Sequence, residues 1–460
     1  MSWSVETIAA ACQGALEGDA RGRIRSLSTD SRSLQPGALF VAIVGEHFDG
    51  HDFLAQAEAR GATAALVQRH DVGTPSLPLI RVTDTVQALG KLAAARRSCF
   101  DGPVIAITGS NGKTTTKEMC ASILSAAGRR VHRSEGNLNN QIGLPLSILG
   151  VAEGDEVLVL ELGMNHPGEI AVLARIARPD VGAVTQIAPA HLGLLGSLDA
   201  IAAAKGELYE ELPDGATAVV NADDPHLCVQ AERFAGQKLR FGFSEEAALR
   251  AESVHCDASG VRFTLHTPRG HGPVRLSALG RHLVQDALCA AAAAWASEAL
   301  GSEPLDAIRT GLERFEPLAG RLRPLTSPAG FRILDDSYNA NPDSLRAALT
   351  TLVELARGEP AVVVLGEMLE LGAEAERLHA EAGRDVAKLG LHALIGVGEL
   401  PAHAVEGARA AGIPHALACA EAEEAAREAR RLAGEGGLVL VKGSRGARME
   451  RIVAKLREAS

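Results

Sequence analysis

The chain has no apolar run long enough to cross a bilayer as a helix. Its most apolar helical stretch, Ala287 to Ala296, is too short. Glu6 and Gln13 interrupt the N-terminal segment, so no secretory signal is read there and a cytoplasmic location is expected. A basic excess is also missing: 46 Lys and Arg stand against 57 Asp and Glu, a formal net charge of −11. That argues against nucleic acid or an anionic membrane surface as the main partner. It leaves room for a small anionic substrate held at local basic sites. The 7 cysteines are scattered, with no pair spaced for a metal knuckle or a redox dithiol, which fits a reducing compartment. No repeat of fixed period is evident.

At 460 residues the chain is too long for one core, and roughly two to four domains are expected. Its 46% hydrophobic and 22% charged content is ordinary for a soluble globular protein. Residues 1–98 read as a small α/β unit, with strands at Ala38–Ile43 and Ala64–Val67 and a helix over Asp84–Arg97. Residues 99–314 carry apolar runs at 104–107, 157–160, 183–187 and 217–220, alternating with helical segments. That is the pattern of a mostly parallel sheet with helices on both faces. Val261 to His266 alternates with period two, as a half-exposed antiparallel strand does, and the Ala-rich run after His282 is a closely packed helix. Residues 315–460 repeat the α/β pattern, with runs at Ile333–Leu334, Ala361–Leu365, Ala393–Ile395 and Leu438–Val441. They read as a Rossmann-type domain, but without GxGxxG a dinucleotide is not supported. The fold class is therefore α/β, in three domains.

The most informative stretch is Ile107-Thr-Gly-Ser-Asn-Gly-Lys-Thr-Thr115. An apolar strand precedes it, and Met119, Cys120, Ile123, Leu124 and Ala127 give helical spacing after it, with Gly128 as the stop. Strand, Gly-rich turn, Lys-Thr and helix form a phosphate-binding loop. Its backbone N–H groups and the helix N-terminus cradle an anion. Lys113 would reach the β- and γ-phosphates and the Thr114 hydroxyl would sit on Mg²⁺. The generic nucleotide pattern wants glycine where Ile107 stands, and here the glycine is Gly109.

Ligands of open parallel sheets bind beyond the carboxyl ends of the strands. Glu161 ends the run Val157–Leu160, His191 follows the strand ending near Ile187, and Lys205 follows in Ala202-Ala-Ala-Lys-Gly-Glu207. Taken alone, Glu161 reads as a metal ligand, His191 as a structural histidine and Lys205 as an exposed helix lysine. Mg²⁺ prefers oxygen, so an imidazole ligand would be unusual.

The loop variant Thr108-Gly-Ser-Asn-Gly-Lys-Thr-Thr115 resembles the ATP loop of the Mur ligases, the amide-bond-forming enzymes of peptidoglycan precursor synthesis. Further segments match in the family's order across all three expected domains. The resemblance implies that Thr108, Gly109, Ser110, Asn111, Gly112, Lys113, Thr114 and Thr115 bind ATP. Glu161 in Glu161-Leu-Gly and His191 in Ala190-His-Leu-Gly would then bind metal. Lys205 in Ala204-Lys-Gly-Glu207 would be carbamylated, turning an ammonium into an anionic ligand for a second Mg²⁺. In Gly136-Asn-Leu-Asn-Asn-Gln-Ile-Gly143, Asn137 and Asn140 would contact the substrate's phosphate region. Asn221 of Asn221-Ala-Asp-Asp224 would lie near adenine.

Gly280-Arg-His-Leu-Val-Gln-Asp286 departs from the family's pattern, because Leu283 and Asp286 replace the usual asparagines. His282 stays, and Asp286 would accept from the adenine amine. Arg321 in Ala319-Gly-Arg-Leu322 would reach the γ-phosphate. In Asp335-Asp-Ser-Tyr-Asn-Ala-Asn-Pro342, Asp336 would contact the ribose, and Asn339 and Asn341 would face ATP or the incoming amine. Lys442 and Arg445 of Val441-Lys-Gly-Ser-Arg-Gly446 would bind substrate. Ser31 and Arg32 of Ser28-Thr-Asp-Ser-Arg32 would hold a uridine diphosphate, although Asp30 and Arg32 also suit a local turn bridge.

The motifs at 335–342 and 441–446 are similar to those of members that join D-Ala-D-Ala to UDP-N-acetylmuramoyl-tripeptide. The implied parts are ATP, two Mg²⁺ ions, these two substrates and a monomeric enzyme. Alternatives are the ligase that adds the third, diamino acid residue, a folylpolyglutamate-synthase-like ligase and a regulatory P-loop ATPase.

Overall fold

A computed structural model of the chain describes residues 3–19, 22–73, 75–189 and 192–458. Three main sheets organise it. The first has five strands in the order Ala15–Glu17, Leu79–Arg81, Ala64–Val67, Ala38–Val41, Ser26–Ser28, parallel except at its first pair. Helix Thr85–Arg97 follows, capped by Asp84, whose carboxylate accepts from Val86 N and Gln87 N.

The central sheet has nine strands. Val131–Arg133, Val157–Glu161, Val104–Thr108, Val181–Val184, Thr217–Asn221, Gln237–Gly242 and Leu249–Asp257 lie side by side and parallel. Gly260–Thr267 and Gly270–Leu276 continue it as an antiparallel hairpin. Alternation sorts its side chains between two cores. Ile105, Ile107, Val157, Val159 and Val219 pack under helices Lys113–Ala126 and His282–Ala296. Val104, Ala106, Leu158, Leu160 and Val220 pack under Glu169–Ala177 and Leu198–Glu210. Both faces are covered, which is why these strands read as unbroken apolar runs.

Met119, Cys120, Ile123 and Leu124 are fully buried on one face of Lys113–Ala126. Burying a large aliphatic side chain stabilises by ~1.5–3 kcal/mol, so this face anchors the phosphate loop to the sheet. Ala290 to Ala294 are also fully buried, their small side chains suiting close approach.

The strand expected to end near Ile187 ends at Val184. Thr185 N still donates to Thr108 O, but Gln186 and Ile187 are bonded to the neighbouring loops: Ser110 N donates to Gln186 O, and Ile187 N donates to Asp224 Oδ2. The strand expected over Ala38–Ile43 stops at Val41. The last sheet has six strands. Arg323–Thr326 pairs antiparallel with Arg332–Asp336, and Leu438–Lys442, Ala361–Leu365, Ala393–Val397 and His415–Cys419 follow in parallel. Among the described residues no helix is long and apolar enough to cross a membrane.

Candidate active site

Register brings the chemistry together. Glu161 pairs with Ile107, and Val184 with Thr108, so the ends of three strands open on one crevice. Strand Val104–Thr108 turns through Gly109 and Gly112, with φ of 145° and 80°, into helix Lys113–Ala126. A Cβ would stand 1.9 Å from Thr185 Oγ1 at Gly109 and 2.0 Å from Asp286 Oδ1 at Gly112, so neither place admits a side chain. The loop is stapled to the segment after Val184. Thr185 Oγ1 donates to Asn111 O at 2.5 Å, and Ser110 Oγ donates to Ala188 O at 3.0 Å.

Lys113 Nζ folds onto its own loop, donating to Gly109 O at 2.9 Å. Burial lowers its pKa most; Glu161 opposes this and Arg321 reinforces it. A phosphate in the loop would supply the missing counter-charge.

Glu161 is 1% exposed. Its Oε1 accepts from Asn139 Nδ2 at 2.8 Å, and its Oε2 is buried with no hydrogen-bond partner among the described residues. The buried Lys117 ammonium lies 3.8 Å from that oxygen, an ion pair beyond hydrogen-bond reach. Glu161 and Thr114 line the same cavity, and a carboxylate beside a hydroxyl is an oxygen donor set that suits Mg²⁺.

The opposite wall comes from the C-terminal sheet. Arg321 Nη2 donates to Thr114 Oγ1 at 3.1 Å, and its guanidinium lies 4.4 Å from the Tyr338 ring centre. Asp336 Oδ2 accepts from Lys442 Nζ at 2.5 Å, both groups nearly buried, while Asp336 Oδ1 accepts from Leu322 N. This pair fixes the turn that presents Arg321. His282 stands on the same wall. Its pKa is pushed down to about 4 by burial, with Asp336 opposing and Lys442 adding. Burial pushes the Asp286 carboxyl up to about 7 against the pull of Arg321. The cavity so enclosed holds about 350 Å³, within the range of small-molecule sites.

Three family models cover most of the chain. The Mur ligase family catalytic domain matches residues 23–97, the Mur ligase middle domain 107–294, and the Mur ligase glutamate ligase domain 320–445. The chain is 40% identical over 452 residues to the UDP-N-acetylmuramoyl-tripeptide–D-alanyl-D-alanine ligase of Escherichia coli, covering 96% of each. The chain belongs to the Mur ligase family. Its fold superposes on the crystal structure of MurF from Acinetobacter baumannii with a TM-score of 0.91 and 35% identity, over 100% of this chain and 99% of that one. It superposes on the Thermotoga maritima MurF ligase in complex with ADP with a TM-score of 0.82 and 29% identity, over 94% and 97%.

Among the positions that the Mur resemblance singled out, Ser110 to Thr115, Asn137, Glu161, His282, Asp286, Arg321, Asp336, Asn339 and Lys442 line the cavity. Thr108 and Gly109 lie behind them as the end of the strand and the start of the turn. His191 lies outside the described residues. Lys205 is not the exposed lysine its sequence context suggests: it is 1% exposed in helix Leu198–Glu210. Burial and then Lys113 hold its pKa well below normal, opposed by Glu207.

Several of the expected positions are engaged within the protein itself. Asn140 faces its own backbone, accepting from Ile142 N and Gly143 N at the start of helix Gly143–Leu149. Its neighbour Asn139 turns to Glu161 instead. The Asn221 side chain is fully engaged, donating to Thr185 O and accepting from Asp223 N and Gln285 Nε2. Asn341 caps helix Pro342–Ala356 and bonds Asn111, while Arg445 is exposed beside Glu450 and Tyr338. Arg32 pairs with Asp30 at 2.9 Å in a local bridge, and Ser31 Oγ donates to Gln56 Oε1.

Sequence reasoning missed Asn139, Thr185, Gln285 and Lys117. Asn139 stood unselected within the 136–143 motif, and Lys117 lies one helical turn after Lys113, hence on the same face.

Proposed function

We infer that this chain is an ATP-dependent amide ligase that joins D-alanyl-D-alanine to UDP-N-acetylmuramoyl-tripeptide in peptidoglycan synthesis. One arrangement carries the assignment. The phosphate loop, the buried Glu161 carboxylate and Arg321 from the C-terminal domain line one cavity, in a chain that matches ligases of that name over nearly its full length.

ATP gives its γ-phosphoryl group to the tripeptide carboxylate, forming an acyl phosphate. Lys113 and Arg321 offset the charge that develops as two anions meet. The amine of the dipeptide then attacks the acyl carbon, and phosphate leaves. Holding carboxylate and amine side by side removes much of the entropic barrier.

Thr114 and Glu161 are the groups that would hold Mg²⁺, which when bound screens the phosphate oxygens. Burial lowers the Lys205 pKa and so favours the neutral amine that CO₂ requires, and its carbamate with His191 would complete a second cation site. Asn137, Asn339 and Lys442 line the cavity where the peptide end would lie. Ser31 and Arg32 of the N-terminal domain serve the uridine diphosphate once the Asp30 bridge yields. The working unit is a cytoplasmic monomer of three domains, 1–98, 99–314 and 315–460.

The test is phosphate release from ATP and Mg²⁺ with UDP-N-acetylmuramoyl-tripeptide, with and without D-Ala-D-Ala. Release that requires the dipeptide and yields a UDP-linked pentapeptide supports the assignment. Release only with a UDP-linked dipeptide and a diamino acid moves the enzyme one step back. Hydrolysis without any acceptor makes it an ATPase.

A further inference from the structure

Lys117 is fully buried, and neither the phosphate chemistry nor the substrate contacts above use it. An ammonium taken out of water costs several kcal/mol unless it is paired and hydrogen-bonded, so its surroundings show what it is kept for. Its Nζ donates to Ser134 O at 2.6 Å and to Gly136 O at 3.1 Å. Carboxylates stand at 3.2 Å in Glu118 and 3.8 Å in Glu161. The two carbonyls belong to the segment between strand Val131–Arg133 and helix Gly143–Leu149, the one that carries Asn137 and Asn139 to the cavity. Ser134 also receives Glu161 N on its hydroxyl, and Asn139 donates to Glu161 Oε1.

These contacts close a ring: from Lys117 to Ser134 and Gly136, through the loop to Asn139, to Glu161, and back to Lys117. Lys113 and Lys117 leave the same face of one helix, one folded onto the phosphate loop and the other clasping the loop at 134–139. We propose that Lys117 is a positioning residue that locks the 134–139 loop and the Glu161 carboxylate in register with the phosphate-loop helix. Its Nζ stands 3.8 Å from Glu161 Oε2, so it fixes that carboxylate and supplies its resident counter-charge. Nucleotide loop, cation ligand and substrate loop are thereby set by one buried ammonium. The cation part rests on the proposed role of Glu161; the loop part does not.

The test uses the full-length protein and Lys117→Met, which keeps the volume of the stem. Hydrogen–deuterium exchange without ligands reads the loop directly. Faster exchange across residues 134–143, with the Met119–Leu124 helix unchanged, supports the proposal, and unchanged exchange in that loop overturns it. Mn²⁺ binding with ADP present, followed by electron paramagnetic resonance, reads the cation ligand. Lys117→Met should weaken it by ~10–100-fold, as lost supporting contacts do at metal sites. On a Glu161→Gln background the same substitution should add little. If Glu161→Gln weakens the cation and Lys117→Met does not, Lys117 has no such role. If Glu161→Gln itself changes nothing, the cation reading of Glu161 fails, while the exchange result still decides the loop. Should Lys117→Met not fold, Lys117→Gln, which still donates but lacks the charge, carries both measurements.

Discussion

Asn341 Nδ2 donates to Asn111 Oδ1 at 2.7 Å, while the Asn341 Oδ1 accepts from Ser344 N at 2.9 Å. One side chain thus caps the helix Pro342–Ala356 and grips the phosphate loop of another domain. Arg321 on Thr114 is a second tie across the same gap. Asn341→Ala should cost ~1 kcal/mol of stability for the lost cap. It should lower kcat by on the order of a hundredfold through misplaced groups, and leave ADP affinity unchanged. Calorimetric ADP titration beside steady-state kinetics checks this; a parallel loss of ADP affinity would mean that the amide shapes the loop itself.

Lys205→Ala should slow ligation by ~10–100-fold, the usual cost of disturbing a metal site. Added formate or acetate should restore part of the rate by standing in for the oxygens of the proposed carbamate. Full activity in the variant without any added carboxylate would show that Lys205 plays no such part.

Asp286 makes stability depend on pH. Its folded pKa, about 7, lies above the ordinary carboxylate value. A raised acid stabilises the fold below the unfolded pKa, near ~4, and that contribution is lost as pH rises through the folded value. Urea unfolding of wild type and Asp286→Asn should therefore diverge between about pH 4 and pH 7. The variant's relative gain should be on the order of 4 kcal/mol at the alkaline end. An ionised carboxylate against Gly112 also opposes phosphate, so Asp286→Asn should lower KM for ATP above neutrality. A constant stability difference across this range would refute the assignment.

Gly311 shows packing overriding propensity. Alanine would gain about 1 kcal/mol as the better helix former. Its Cβ, however, would stand 2.3 Å from Ile123 Cα, a backbone atom that cannot step aside. The helices Pro304–Arg314 and Lys113–Ala126 would be forced apart, at ~1–3 kcal/mol. A melting curve for Gly311→Ala should show net destabilisation with KM for ATP little changed.

The phosphate loop was legible because its parts are contiguous: glycines, Lys113 and the helix follow one another in the chain. Glu161 was legible as the polar end of an apolar strand. Asn139 and Asn140 were not separable, since successive loop residues point in directions that only the Lys117 clasp and the Gly143–Leu149 helix start decide. Strand ends blurred for a similar reason: Gln186 and Ile187 continue the strand in sequence, but their backbone bonds go to Ser110 and Asp224.

By itself the amino-acid sequence determined the α/β class, the three-part order, the phosphate loop and the family, because period, turn chemistry and motif spacing are local properties. Tertiary structure alone decided that Lys117 and Lys205 are buried, that Asn221 is spent on Thr185 and Gln285, and that Arg321 reaches Thr114. Burial and partner choice depend on which distant segments the parallel register and the domain contact bring within a few ångströms, and no window of sequence contains both partners.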